Sequence, residues 1–438
     1  MSDPEVVIVG AGAAGLAAAT ILRRAGRTVL VLEAATRIGG RARTSHPSSL
    51  GGIPFDEGAT WLHATGRNPL VILARRAGDR LHLAHGGGRR LLVGGRIASE
   101  TDEQAYAAAD DGWRATAERL ADGPDRPLSD AGNEWNPADP WLPNVESWES
   151  SVIAAADADV LSLHDWHRNG LEDGDLRPEH GVGALLARHL APTAGPVRCG
   201  VAVSAIDWGR RDAVRVMTGG GTVTARCCIV TVSTGVLRDE RIGFTPALPD
   251  DILAALDGLP MGLLSKLGLP VAVEAMRDRQ GVAPNTLIEQ RLENRRAPMM
   301  LMHLQPDGAP CVTGFLGGRH AWSFAGREED ALDEARGRLA ATLGADAPSL
   351  RPGGFASRWG SDPLFRGAYA YARPGHAGAR AVLGRPLGEG RLVLAGEACR
   401  TDGLAGTVGG ALRDGERAAQ AVLTMLGDPG PWPELVPS

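Results

Sequence analysis

Of the 46 basic residues in this 438-residue chain, only Lys266 is a lysine, and it sits in the apolar run LPMGLLSKLGLPV at 259–271. Everywhere else the chain uses arginine. An ammonium is a compact point charge whose pKa falls on burial, whereas a guanidinium is planar, bulkier and always charged. A lysine kept among Leu, Met and Gly suits a site that needs one small charge beside a reacting group. The alternative is a lysine that lays its stem on apolar surface and keeps its head in water. The apolar neighbours and the otherwise exclusive use of arginine count against that.

A second constellation lies near the N-terminus. Gly10, Gly12 and Gly15 follow the apolar run at 5–9 in G-x-G-x-x-G spacing, and Glu33 closes the next apolar run, TVLVLE. The first glycine permits a tight turn, the second lets a pyrophosphate approach the backbone, and the third lets helix and strand pack closely. The pyrophosphate sits on the helix N-terminus and Glu33 accepts hydrogen bonds from ribose hydroxyls. This predicts a dinucleotide site.

Other groupings carry less. HDWH at 164–167 and HLAH at 82–85 have metal-compatible spacing, but nothing nearby completes a ligand set, so no metal is expected. Asp165, Glu172, Asp173 and Asp175 are read as a charged loop face, with an entrance for a polycation as the alternative. Trp135, Trp141, Trp148 and Trp166 suit a buried core or a substrate wall. There is no Gly-x-Ser-x-Gly elbow and no Walker-type phosphate loop.

These residues need elements to hold them. The strand at 5–9, the Ala-rich helix ending at Gly26 and the strand TVLVL make a βαβ unit. Strand character returns at PVRCGVAVSAIDW and in the hairpin-like AVRVMTGGGTVTARCCIVTVS, and EEDALDEARGRLAATLG is helical. GRLVLAGEACRTDGLAGTVGGALRDGERAAQAVL reads as strand, glycine turn and helix. Residues 98–120 read as helix, and 122–144, rich in Pro, Asp and Trp, as a long irregular connection or lid.

Bulk properties bound the reading. Apolar residues make up 43% and charged residues 22%, ordinary for a globular protein, and the net charge of −6 leaves no footprint for nucleic acid or an anionic membrane. Five cysteines, two of them adjacent at 227–228, speak against a disulfide framework. MSDPE leads straight into a strand, and no apolar run approaches the ~18 residues of a membrane span. A cytoplasmic location is expected.

The chain resembles the flavin-containing amine oxidases, the family of monoamine and polyamine oxidases. LEAATRIGGRART, DEGATWLHA, IVTVSTGVL, RWGSDPLFRGAYAYARPG and LAGEACRTDGLAGTVGGA follow the family's motifs in order, the fourth closest to the polyamine oxidase branch. The resemblance implies FAD. It gives Glu33 and Arg41 to the adenosine and pyrophosphate, and Val203 to the adenine through its backbone. Gly58, Ala59, Thr60 and Trp61 line the flavin ring, and Glu397 binds the ribityl or phosphate region. Ala14, Ala34, Gly40, Trp359, Gly396, Thr407 and Val408 complete the cofactor wall. A helix starting near Gly406 aims its positive end at the ring. Lys266 matches the family's active-site lysine, which contacts flavin N5 through a water. His63 aligns with a substrate-facing histidine, and Tyr369 with one wall of an aromatic sandwich. Ala368 stands where monoamine oxidases carry the cysteine that bonds to flavin, so the FAD is expected to be non-covalent. Thr407 replaces the second sandwich tyrosine.

The fold class so implied is α/β. A Rossmann-type FAD-binding domain is assembled from 1–75, 181–245 and 356–438, with an inserted α+β substrate domain from 76–180 and 246–355. The expected reaction takes a hydride from the α-carbon of a secondary or polyamine-like amine to flavin, giving imine, aldehyde and hydrogen peroxide, with O₂ as acceptor. The alternatives are a dehydrogenase of an apolar carotenoid or protoporphyrinogen, or a flavin protein without turnover. The partners are a small amine and O₂, and the sequence leaves monomer and homodimer open.

Overall fold

The computed structural model describes residues 3–84, 86–171, 174–272, 283–343 and 350–428, with Gly430, Trp432 and Leu435. All four residues of the strand Val6–Val9 (β1) are buried, as a strand covered on both faces must be. It is the middle strand of a five-stranded parallel sheet. Val29–Glu33 (β2) and Val197–Cys199 lie on one side of it, Cys227–Val230 and Leu392–Leu394 on the other. Three separated stretches of chain therefore build one sheet. The helix Ala13–Arg24 (α1) joins β1 to β2, and its Ala-rich face allows close packing in a core shared with the C-terminal helix Val408–Met425.

The glycines of the first turn have different jobs. Gly10 has a φ of +105°, which L side chains rarely adopt. A Cβ on Gly15 would lie 2.0 Å from the Gly10 carbonyl oxygen, so this glycine lets α1 sit on β1. On Gly12 a Cβ would meet nothing nearer than Gly40 Cα at 4.0 Å, so protein packing does not demand a glycine there.

A second sheet has seven strands, in the order Phe355–Ala356, Leu264–Pro270, Cys311–Gly317, Met300–Leu304, Thr286–Gln290, Arg89–Val93 and Arg96–Ile97. It is antiparallel except where Thr286–Gln290 pairs with Arg89–Val93. A four-stranded sheet contains the expected hairpin, Val214–Thr218 with Gly221–Ala225, and carries Val203–Asp207 beside it.

Two expectations are corrected. The stretch 122–144 is irregular only in part, because it contains the helix Ser129–Trp135 and the start of Leu142–Ser147. Its prolines misled: Pro143 falls in the first helical turn, where a missing N–H costs nothing, and Trp141 is buried with its ring edge on Tyr106. Asp165 is not on a charged loop face. It lies on the helix Leu163–Arg168, 4% exposed, and both its oxygens accept from Arg380 at 2.7 Å. Glu172, Asp173 and His85 lie outside the described residues. His164 Nε2 pairs with the Gly123 carbonyl at 2.9 Å. Among the described residues no cluster of His, Cys, Asp or Glu could hold a metal, and no helix is long and apolar enough to cross a membrane.

The glycine geometry sets a paired test. Gly15→Ala should destabilise the apoprotein by roughly 1–3 kcal/mol, the scale of an overpacked core, read from denaturant unfolding. Gly12→Ala should leave that unfolding curve in place and weaken dinucleotide binding. Equal unfolding curves for both variants would contradict this division.

Candidate active site

A cavity of about 620 Å³ opens at the carboxyl ends of β1 and β2, where open α/β sheets bind their ligands. Every site residue named from the sequence lines it except Gly15, which packs behind the wall.

At one end stand Gly10, Gly12 and Ala14, followed by Glu33 and Ala34. The buried Glu33 carboxylate is held by two backbone amides: Ala11 N donates to Oε2 at 2.7 Å and Ala35 N to Oε1 at 2.8 Å. Each carboxylate oxygen can accept more than one hydrogen bond, so the group can still take a ribose diol. Val203 reaches this end from the four-stranded sheet.

Further along, Gly40 and Arg41 face Gly396 and Glu397. Arg41 Nη1 donates to Glu397 Oε1 at 2.7 Å and to the Ala368 carbonyl at 2.9 Å. Ala370 N donates to the same Glu397 oxygen at 3.1 Å. The pair joins the N-terminal turn to the C-terminal segment. Thr407 caps the helix Val408–Met425: its Oγ1 accepts from Gly410 N at 2.9 Å and donates to the Leu404 carbonyl at 2.8 Å. Its hydroxyl is thus committed to the helix, whose positive end reaches the wall through Val408.

The far end is aromatic. Gly58, Ala59, Thr60 and Trp61 form the loop after Phe55–Asp56, and Trp359 Nε1 donates to the Glu57 carbonyl at 2.8 Å. Lys266 arrives from the other layer, on the strand Leu264–Pro270. It is 5% exposed, which excludes the snorkelling alternative. Its Nζ donates to the Gly58 carbonyl, to Thr60 Oγ1 and, at 3.3 Å, to the Asp56 carbonyl. Burial lowers its pKa to about 7, with the Asp56 charge opposing the shift and the Arg177 charge adding to it. Asp56 in turn is raised by burial and pulled back by Lys266, and its carboxylate accepts from Thr44 Oγ1 at 2.5 Å and Val182 N at 3.1 Å.

Trp61 packs on Phe315, ring centroids 5.2 Å apart, and stands edge-on to His63 at 6.0 Å. His63 Nδ1 lies 2.6 Å from Asp175 Oδ1. The Tyr369 hydroxyl donates to the Ile153 carbonyl at 2.9 Å, and burial pushes the phenol above its ordinary range. Gly406 lies against Tyr369, for a Cβ there would come within 3.5 Å of the ring.

Sequence reasoning missed Phe315, Glu149 and Arg380 in the wall. Phe315 pairs in register with Lys266 across the antiparallel strands, and the Nζ lies 5.6 Å from its ring centre. Glu149 accepts from Arg114 and, at 2.9 Å, from Trp166 Nε1, while burial raises its carboxyl. Trp166 serves both expected roles, lining the cavity and packing edge-on against Trp113 at 5.3 Å.

A nucleotide cradle that continues into an aromatic chamber with a buried lysine is the site of a flavoprotein oxidoreductase. Residues 116–423 match the family described as flavin containing amine oxidoreductase, and residues 8–73 match an NAD(P)-binding Rossmann-like domain. The chain belongs to the flavin-containing amine oxidoreductases.

It is 28% identical over 464 residues to polyamine oxidase 5 of Oryza sativa subsp. japonica, covering 96% of this chain and 87% of that protein. It is 26% identical over 500 residues to lysine-specific histone demethylase 1 homolog 3 of Arabidopsis thaliana, covering 97% of this chain but 30% of the relative. For homolog 2 of Oryza sativa subsp. japonica the chain spans 57% of the relative's length. Among solved structures, cyclohexylamine oxidase from Brevibacterium oxydans IH-35A shares the fold with a TM-score of 0.79 at 22% identity, over 97% of this chain and 100% of that one. A putrescine oxidase triple mutant, redesigned in its cofactor binding, gives 0.78 at 20% identity, over 96% and 99%.

The cofactor is FAD, and the cradle fits it. Gly12 leaves the backbone open to a phosphate, Glu33 is placed for a ribose, and the cavity continues to a chamber for the ring. Among the described residues no cysteine lines the cavity, and Ala368 stands in its wall. Acid precipitation of the yellow protein should therefore release all the colour to the supernatant. Colour retained in the pellet would show a covalent bond.

Proposed function

We propose that this protein is an FAD-dependent oxidase of small amines, with a secondary or polyamine-like amine as substrate and O₂ as acceptor. The observation that carries the reading is the chamber that places a buried ammonium, Lys266, and an imidazole, His63, among aromatic rings. A pocket for a carotenoid or protoporphyrinogen gains nothing from buried ionisable groups, which cost free energy there. The division into 1–75, 181–245 and 356–438 against 76–180 and 246–355, and a cytoplasmic location, belong to the same reading.

FAD supplies the redox chemistry, accepting two electrons from the amine's α-carbon and passing them to O₂. The chain's residues do the rest. Glu33 holds the ribose, and Arg41 and the α1 N-terminus hold the pyrophosphate. Val203, Ala34, Ala14, Gly40, Gly396 and Trp359 shape the cofactor wall, and Glu397 fixes Arg41. The partial positive charge at Val408 favours negative charge on the bound ring. Trp61, Phe315 and Tyr369 hold the substrate's apolar part and exclude water. Because the Tyr369 hydroxyl is tied back to Ile153, its ring face meets the substrate. His63 contacts the amine nitrogen. Lys266 supplies positive charge where O₂ gains electrons.

Anaerobic mixing with a panel of amines tests the reading. Secondary amines and polyamines should bleach the flavin absorbance, and admission of air should restore it with one peroxide per turnover. His63→Ala should keep its FAD but lose on the order of 10²-fold in the bleaching rate. A flavin that no amine bleaches would overturn the proposal, and unchanged rates in His63→Ala would reduce the histidine to a support.

A further inference from the structure

Leu62 and Leu176 form an isolated antiparallel bridge, with Leu62 N donating to the Leu176 carbonyl at 2.7 Å and the reverse bond at 3.3 Å. In that register the residues one step on, His63 and Asp175, stand directly opposite each other. Leu62 turns into the hydrophobic core at 1% exposure. Strand alternation then turns its neighbour His63 the other way, and His63 lines the cavity. Both backbones are pinned: the His63 carbonyl accepts from Asn68 Nδ2 at 2.8 Å, and the Asp175 carbonyl accepts from Ala84 N at 3.1 Å. The 2.6 Å contact between His63 Nδ1 and Asp175 Oδ1 is thus built by strand register.

We propose that Asp175 is a positioning residue that makes His63 the base which strips a proton from the incoming ammonium. The inference rests on the amine-oxidase reading. An aliphatic amine arrives from neutral water as an ammonium, and only the free amine, with its lone pair, can lose electrons from its α-carbon. A carboxylate on Nδ1 keeps the proton on that nitrogen and leaves Nε2 with a lone pair to accept another. The transfer balances simply. The ammonium N–H bond breaks, an Nε2–H bond forms, the electron pair stays on the amine nitrogen, and no electrons change hands. The resulting imidazolium is paired with the Asp175 carboxylate, and the proton leaves to solvent.

The base role makes a demand that a structural role does not: the need for Asp175 must scale with substrate basicity. In Asp175→Asn the amide donates to Nδ1 and moves the ring proton to Nε2, which can then no longer accept. Anaerobic flavin reduction is measured with an aliphatic amine and with its far less basic β,β,β-trifluorinated analogue, in wild type, Asp175→Asn and Asp175→Glu, each shown by absorbance to hold its FAD. Relative to wild type, Asp175→Asn should slow the parent amine by roughly 10²-fold, the scale of acid–base catalysis. It should slow the fluorinated amine, which arrives largely neutral, far less, and Asp175→Glu should recover part of the loss. Equal slowing of both amines, or no slowing of either, overturns the proposal. A wild type that neither amine reduces overturns the amine-oxidase reading instead. Should Asp175→Asn not hold FAD, His63→Ala takes its place: imidazole in the buffer should restore its rate with the parent amine, and failure to do so overturns the base role.

Discussion

A buried ammonium must be surrounded by oxygen acceptors or lose its proton, and Lys266 imposes that demand on the whole molecule. It projects from the seven-stranded sheet, yet its acceptors, the carbonyls of Asp56 and Gly58 and the Thr60 hydroxyl, lie at the end of the strand Phe55–Asp56 and in the loop after it. That loop must therefore lie tight against its surroundings. A Cβ on Gly58 would fall 1.8 Å from the Arg41 carbonyl oxygen and 3.0 Å from the Trp359 ring, so nothing larger fits. Behind the loop, Asp56 and the Thr44 hydroxyl take up the first amides of the helix Val182–His189. Lys266 thus ties the seven-stranded sheet to the cavity loop, and Asp56 and Thr44 tie the base of that loop to a helix end.

The division of labour between the two cation types follows the same physics. Arg380 is buried and forked onto Asp165, with its other contacts on the Ala370 and Ala398 carbonyls, so it stays charged and stitches the strand Tyr369–Ala370 in place. Arg417 likewise grips Asp414 and the Leu394 carbonyl. These guanidiniums are structural because their charge is fixed and their geometry is bidentate. Lys266 is the basic residue that burial brings to a pKa of about 7, close enough to neutrality for its charge to depend on its surroundings.

What the sequence disclosed was local or was an outlier. The glycine spacing, Glu33 at the end of β2 and the strand–turn–helix at the C-terminus each carry their meaning within a few residues, and Lys266 stood out by type alone. What it hid was pairing across distance. Phe315 meets Lys266, Asp175 meets His63 and Arg380 meets Asp165 only because of strand register or packing between remote segments, and no periodicity marks such partners. Asp165 and Asp175 looked alike as loop acids, yet one is locked in an ion pair and the other stands behind a cavity histidine. The helices within 122–144 were missed because Pro and Asp density mimics a loop, although prolines also start helices.

The role of the Lys266 charge is tested by resolving the two half-reactions in stopped flow for wild type and Lys266→Met. The variant keeps the stem and removes the charge, so oxidation of the reduced flavin by O₂ should slow by roughly 10–10³-fold, the scale of one lost electrostatic donor, while anaerobic reduction by amine changes little. Lys266→Arg should not restore the rate, because the planar fork crowds the site. Below pH about 7 the ammonium persists and above it Nζ is neutral, so the wild-type oxygen step should decline as pH rises through that value and the variant should stay flat. Slowing confined to the amine step would contradict the oxygen role, and no change in either step would remove Lys266 from the reaction altogether.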